Sequence, residues 1–275
     1  MQAAIDFGLT NIDVVIATHP FDGQIERSAL APSRRRVDEA QLRRALDALS
    51  STPRDFDRIC VTGGQHRRLP DEIDGVPIVK VGEIDAIGRG GVALAGAREA
   101  LVVSAGSGTA MIAARQSGCH HVTGSAVGGG TLLGLCRLLI GTSDPQAIND
   151  FALRGDSNKV DLTLMEATGG AIGRLPKDAN AVNFGRIASL DEDAMRLLSQ
   201  EDRAAGVAVL VGQVIAVIAI NAAKAEGLDK IVVVGHLVDL LCMRRVLNTV
   251  AGYYGADISV PAMPGFATAL GALLA

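Results

Sequence analysis

The chain has 275 residues, 48% of them hydrophobic and 20% charged, with a formal net charge of -4. That is enough apolar sequence to bury one or two full cores, which excludes a chain that works as a disordered tail. The slight acidity also removes the basic field that draws nucleic acid or an anionic membrane.

In chain order, the opening MQAAIDFGLTNIDVVIA lacks a basic segment leading into an unbroken apolar run, so it does not read as a secretory signal. Ala3 to Asp6 and Ile12 to Ala17 predict two short strands around Gly8, a hairpin, with a third strand over Gln24 to Leu30. Val37 to Leu49 reads as an amphipathic helix with Leu42, Ala45, Leu46 and Leu49 on one face. Strands follow at Arg58 to Thr62 and Val76 to Val81, a helix at Ile84 to Glu99, and a strand from Leu101 to Ser104. The second half repeats the style. Met111 to Arg115 and His121 to Thr123 are β-like, Thr131 to Ile140 and Asp144 to Leu153 are helical, and one long helix is expected over Asp191 to Glu226. Its apolar core, Ala204 to Ala223, carries Gln213 and Asn221 between charged ends, which suits a buried helix better than a membrane span. A strand at Ile231 to Val234, a helix at Val238 to Val250, a strand at Ile258 to Val260 and a helix at Pro264 to Leu274 complete an α/β chain of two lobes, 1–100 and 101–275. The cysteines Cys60, Cys119, Cys136 and Cys242 are far apart and form no CxxC pair. Neither a disulfide framework nor a zinc site is indicated, and a reducing cytoplasm is the expected setting.

Glycine carries the chemical signal. Asp6-Phe-Gly8-Leu-Thr10 sets a strand-end acid before a turn and a hydroxyl. Such a segment serves an ordinary hairpin, or a phosphate turn in which Asp6 holds Mg²⁺. Ser104-Ala-Gly106-Ser107-Gly108-Thr109 repeats the arrangement in the second half, with Ser107 or Thr109 able to donate to a phosphate or a substrate. Gly128, Gly129 and Gly130 precede Thr131 and a leucine-rich helix, so amides at a helix N-terminus are expected to face an anion. The string is neither a Walker A loop nor a Rossmann fingerprint.

Taken together, VTGSAVGGGTLLGL at 122–135, DFGLT at the N-terminus, and VTGG at 61–64 followed by KVGEIDAIGRGG at 80–91 resemble the type II pantothenate kinases. The similarity continues through VDLTL at 160–164, NFGRIAS at 183–189, IVVVGH at 231–236 and ALGALLA at the end. The resemblance implies a two-lobed actin-like ATPase fold, ATP and Mg²⁺ as cofactors, a homodimer, and phosphorylation of the primary hydroxyl of pantothenate, the first step towards coenzyme A. It also implies Glu83 as the general base that accepts the hydroxyl proton. Asp6, Gly8 and Thr10 become the first phosphate turn, Gly106, Ser107 and Gly108 the second, and Gly128 to Thr131 the loop over the nucleotide. Gly235 borders the adenosine.

The chain departs from the family pattern at three positions. Leu9 stands for a glycine and Asp13 for a lysine, which removes a positive charge beside the cleft. His121 stands for an arginine that contacts pantothenate, and a neutral imidazole offers fewer donors than a guanidinium fork. These departures leave two alternatives: a kinase for another small hydroxy acid, and a non-catalytic relative that binds a nucleotide or acyl-coenzyme A. The basic groups Arg34-Arg35-Arg36, Arg43-Arg44 and Arg67-Arg68 read as solvated surface, with polyanion binding as the lesser alternative. Cys119 and His120 directly precede His121 without making a metal cluster, because successive strand residues face opposite sides.

Overall fold

A computed structural model describes residues 1–18, 25–31 and 36–275. Gln24, Arg34 and Arg35 lie outside the described residues. The first lobe is built from β1 (Gln2–Phe7), β2 (Ile12–Ala17), β3 (Glu26–Leu30), α1 (Glu39–Asp47), β4 (Arg58–Gly63), β5 (Glu72–Ile73), β6 (Val76–Lys80) and α2 (Glu83–Leu94). Its sheet runs in the order β3-β2-β1-β4-β6-β5, with an antiparallel meander β1-β2-β3 joined to the parallel strands β4 and β6. Strand alternation sends Ala3, Ile5 and Phe7 to one face, where Leu42, Ala45 and Leu46 of α1 cover them. Asp38 caps α1 by accepting a hydrogen bond from the Gln41 amide at 3.0 Å.

The second lobe adds β7 (Ala100–Ala105), β8 (Thr109–Arg115), β9 (Gly118–Ser125), α3 (Gly129–Ile140), α4 (Pro145–Arg154), β10 (Leu162–Thr163), α5 (Leu164–Thr168), β11 (Asn180–Val182), α6 (Glu192–Leu197), α7 (Gln200–Glu226), β12 (Lys230–Val234), α8 (Leu241–Tyr254), β13 (Asp257–Ser259) and α9 (Ala267–Leu273). Its sheet, β9-β8-β7-β12-β13, has the same plan: an antiparallel meander, then two parallel strands. Asp6 near the end of β1 and Ser104 near the end of β7 therefore hold matching positions, each beside the carboxyl end of a parallel neighbour.

Helices α2 and α9 form the layer between the two sheets. Ala269, Ala272 and Leu273 of α9 pack with Ala4, Val15 and Cys60 of the first sheet, while Ile87 of α2 packs with Val102, Ile112 and Val232 of the second. The two helices touch backbone to backbone at Gly90 and Gly271, where any Cβ would run into the partner's main chain. Although it follows the second sheet in sequence, the final helix covers the first.

The expected helix over Asp191 to Glu226 is two helices. Leu198 is extended, and Ser199 caps a fresh start by accepting from the Asp202 amide at 3.0 Å, as Asp191 caps α6. The helix expected to reach Glu99 ends at Leu94 before the left-handed Gly96, and the one expected from Val238 begins at Leu241 after a 3₁₀ turn, His236–Asp239. By length and composition α7 could cross a membrane. Here its Val207, Val211, Ile215 and Ala219 are buried in the core of the second lobe, against Leu101, Leu132 and Ile148.

Candidate active site

Between the lobes lies a cleft of about 370 Å³. Its floor begins with Asp6, which is half-buried and stands in register with Asp13 on β2 and Thr62 on β4. Cross-strand partners share a sheet face, so these three polar side chains form a row on the side turned towards α9. Burial, followed by the charges of Asp13 and Glu83, pushes the Asp6 carboxyl up to about 8, with His236 opposing the rise.

Opposite stands the matching turn of the second lobe. Thr10 and Ser107 face each other across the cleft with their hydroxyl oxygens 2.6 Å apart. Gly8, Gly106, Gly129, Gly130 and Gly235 also line the space. Gly235 sits at φ 98, and a side chain there would be driven into the Ala105 main chain, so the turn after β12 requires glycine.

The run of three glycines differs from its expected form. The Gly129 and Gly130 amides are not free for an anion, because they donate to the carbonyls of Gly106 and Ser107 at 2.8 and 2.9 Å. The two glycine loops are thus interlocked by main-chain bonds, and the Gly128 amide turns inward to Thr131 Oγ1 at 3.3 Å. That hydroxyl in turn donates to the Ala126 carbonyl at 3.3 Å. Gly128 and Thr131, like Gly108, shape the loop without lining the cleft.

Glu83 is exposed as the first residue of α2, where the helix dipole favours an acid, and its charge is felt at Asp6. His121 is exposed on β9 opposite Ile112, on the sheet face that packs against α2, and it does not line the cleft. His120 points the other way and lies 3.3 Å from Glu226. Arg43 forms a two-pronged pair with Asp74, and Arg44 donates to the Ala31 carbonyl.

Sequence reasoning missed one end of the cleft altogether. Leu132, Leu133, Pro145, Leu237 and Leu240 make an apolar wall beside the glycine loops, suited to a flat heterocycle. It also missed His236 and Asp239. The His236 ring lies with Nε2 2.8 Å from Asp13 Oδ1 and Nδ1 2.7 Å from Asp239 Oδ2. Burial disfavours its charge, but the hydrogen bonds to Asp13 and Asp239 outweigh that and push the ring up to about 10. The only available signal was the spacing of a histidine and an aspartate three residues apart after a strand.

Two sheets of one topology, with hydroxyl-bearing turns meeting across a cleft, define the actin-like ATPase fold. The (R)-2-hydroxyglutaryl-CoA dehydratase component A of Acidaminococcus fermentans superposes with a TM-score of 0.67 at 14% identity, covering 99% of this chain and 96% of that one. The activator of the 2-hydroxyisocaproyl-CoA dehydratase from Clostridium difficile, with bound ADPNP, gives 0.65 at 16% identity, covering 99% and 92%. A type II pantothenate kinase of Bacillus thuringiensis subsp. konkukian (strain 97-27) is 25% identical over 230 residues, 79% of this chain and 80% of that protein. Residues 99–275 match the family described as Fumble, and the chain belongs to that family, the type II pantothenate kinase family of ATP-dependent phosphotransferases.

Proposed function

We propose that the protein is a pantothenate kinase, transferring the γ-phosphoryl group of ATP to the primary hydroxyl of pantothenate in the cytoplasm, as a homodimer. The observation that carries the reading is the meeting of Asp6, Thr10 and Ser107 from two lobes in one cleft. In this reading residues 1–100 and 101–275 are the two lobes that close on the nucleotide. The hydroxyls of Thr10 and Ser107 bind phosphate oxygens, Gly8, Gly106, Gly129 and Gly130 leave room for them, and Gly235 and the leucine wall hold the adenosine. Gly108, Gly128 and Thr131 keep the interlocked loops in shape.

The donor set fits Mg²⁺, because it is oxygen only: the Asp6 carboxylate, with Thr62 Oγ1 buried and unpaired beside it in the sheet register. When bound, the ion neutralises phosphate charge. Neither Glu83 nor His121 lines the cleft itself; in this reading the acceptor extends beyond the lining to these two exposed side chains, where Glu83 accepts the proton from the attacking hydroxyl and His121 meets the acceptor's polar end. A kinase for a different small hydroxy acid is favoured by one feature, the exposed imidazole of His121 in place of a charged fork.

Glu83→Gln tests the assignment. It should leave ATP affinity within about twofold and lower kcat by about a hundredfold or more, as removal of a general base does. Equal turnover in the two proteins would return Glu83 to a surface acid at a helix start.

A further inference from the structure

The cleft contains one group that phosphate binding and proton transfer leave without a role. His236 follows the left-handed Gly235 and belongs to the second lobe, whereas Asp13 belongs to β2 of the first. Each ring nitrogen faces a carboxylate oxygen, at 2.8 Å in Asp13 and 2.7 Å in Asp239. Carboxylates only accept, so the ring donates from both nitrogens and carries a positive charge. Its faces are fixed as well. Phe266 meets the ring edge-on at 5.7 Å, Arg27 of β3 lies 5.6 Å over Phe266, and at Gly265 any Cβ would fall onto the imidazole. Asp13 is 4% exposed, so it is an almost wholly buried carboxylate held by a residue of the other lobe. Among the described residues this is the only ion pair that joins a strand of the first sheet to the second lobe.

We propose that His236 is a positioning residue, a cationic clasp that ties Asp13 to Asp239 and so sets the separation of the two phosphate turns. Two effects follow from the geometry. Asp13, in register with Asp6, is committed to the imidazolium, which leaves the Asp6 carboxyl to face the cleft. The floor of the cleft is also pinned across the lobes, which holds Thr10 opposite Ser107. Loss of the clasp frees a buried charge and lets the turns drift apart, and sites of this kind lose activity with displacements of about 1 Å.

The proposal rests on the reading of the cleft as an ATP site, and the test separates the two. His236→Gln, Asp13→Asn and the double variant are compared with the wild type by thermal melting without nucleotide, ATP titration and steady-state kinetics. Each single change should lower the melting temperature and raise the KM for ATP at least fivefold, with the KM for the acceptor within twofold. The double variant should be no worse than the worse single. A merely structural role would cut the active fraction, lowering kcat with both KM values unchanged, and that result overturns the proposal, as do effects that multiply in the double variant. Should the single variants fail to fold, Asp239→Asn, at the more exposed end of the chain of bonds, must raise the KM for ATP at least twofold, and an unchanged value refutes the clasp. A wild type that binds no ATP would refute the nucleotide reading, and the clasp would then be decided by the melting data alone.

Discussion

Asp6→Asn should make the protein more stable and inactive, and the gain in stability should depend on pH. In the unfolded chain the carboxyl titrates near 3.8, and in the folded protein it is pushed up to about 8, chiefly by burial. Between those values the folded state binds the proton that the unfolded state has released, so stability is fully present below pH 3.8 and is lost as pH rises through 8. One proton costs about 1.4 kcal/mol per pH unit, so the wild type loses about 3–4 kcal/mol from this carboxyl between pH 5 and pH 8. An asparagine cannot titrate. The difference in unfolding free energy between Asp6→Asn and wild type should therefore widen by about 3–4 kcal/mol over that interval, while contributions from groups not coupled to Asp6 cancel. Urea unfolding followed by circular dichroism, in chelator-treated buffer so that no cation neutralises Asp6, measures it directly. A difference that stays constant within about 1 kcal/mol from pH 5 to pH 8 would refute the claim that the fold holds this carboxyl against its preference.

Gly235→Ala forces a side chain into the left-handed region at φ 98 and against the Ala105 main chain. It should cost about 2–3 kcal/mol of stability in urea unfolding and weaken nucleotide binding, and a neutral effect would mean that the turn relaxes freely. His121→Arg adds a charged fork on the face of β9 turned to α2. If pantothenate is the acceptor, its KM should fall about threefold to tenfold with kcat little changed, as added uniform binding predicts. Unchanged kinetics with every acceptor would put His121 outside the site.

The alternation of apolar and small residues made most strands and helices legible, and the matching turns after Phe7 and Ala105 could be read as a pair from their spacing. The break at Ser199 was not, because Met195, Leu197 and Leu198 keep an apolar run up to the break, and the new cap rests on one side-chain hydrogen bond. The amides of Gly129 and Gly130 looked free in sequence because their partners, the carbonyls of Gly106 and Ser107, lie more than twenty residues away. Asp13 read as the loss of a cation. In three dimensions the cation comes from His236, 223 residues further on, and no local pattern joins the two. The leucine wall was legible only as a helix face, since Leu132 and Leu133 serve both the core and the cleft. The final helix shows the same limit: ALGALLA predicts a helix, but only the tertiary fold sends it back to the first sheet.

The most direct test of the whole account is release of ADP by the purified protein, with ATP and Mg²⁺, across a panel of small hydroxy acids that includes pantothenate. The account predicts ADP release that depends on the acceptor, is strongest with pantothenate, and is lost in Glu83→Gln. ADP release with another acid and none with pantothenate would contradict the proposed substrate, and no acceptor-dependent release at all would contradict the phosphotransferase itself.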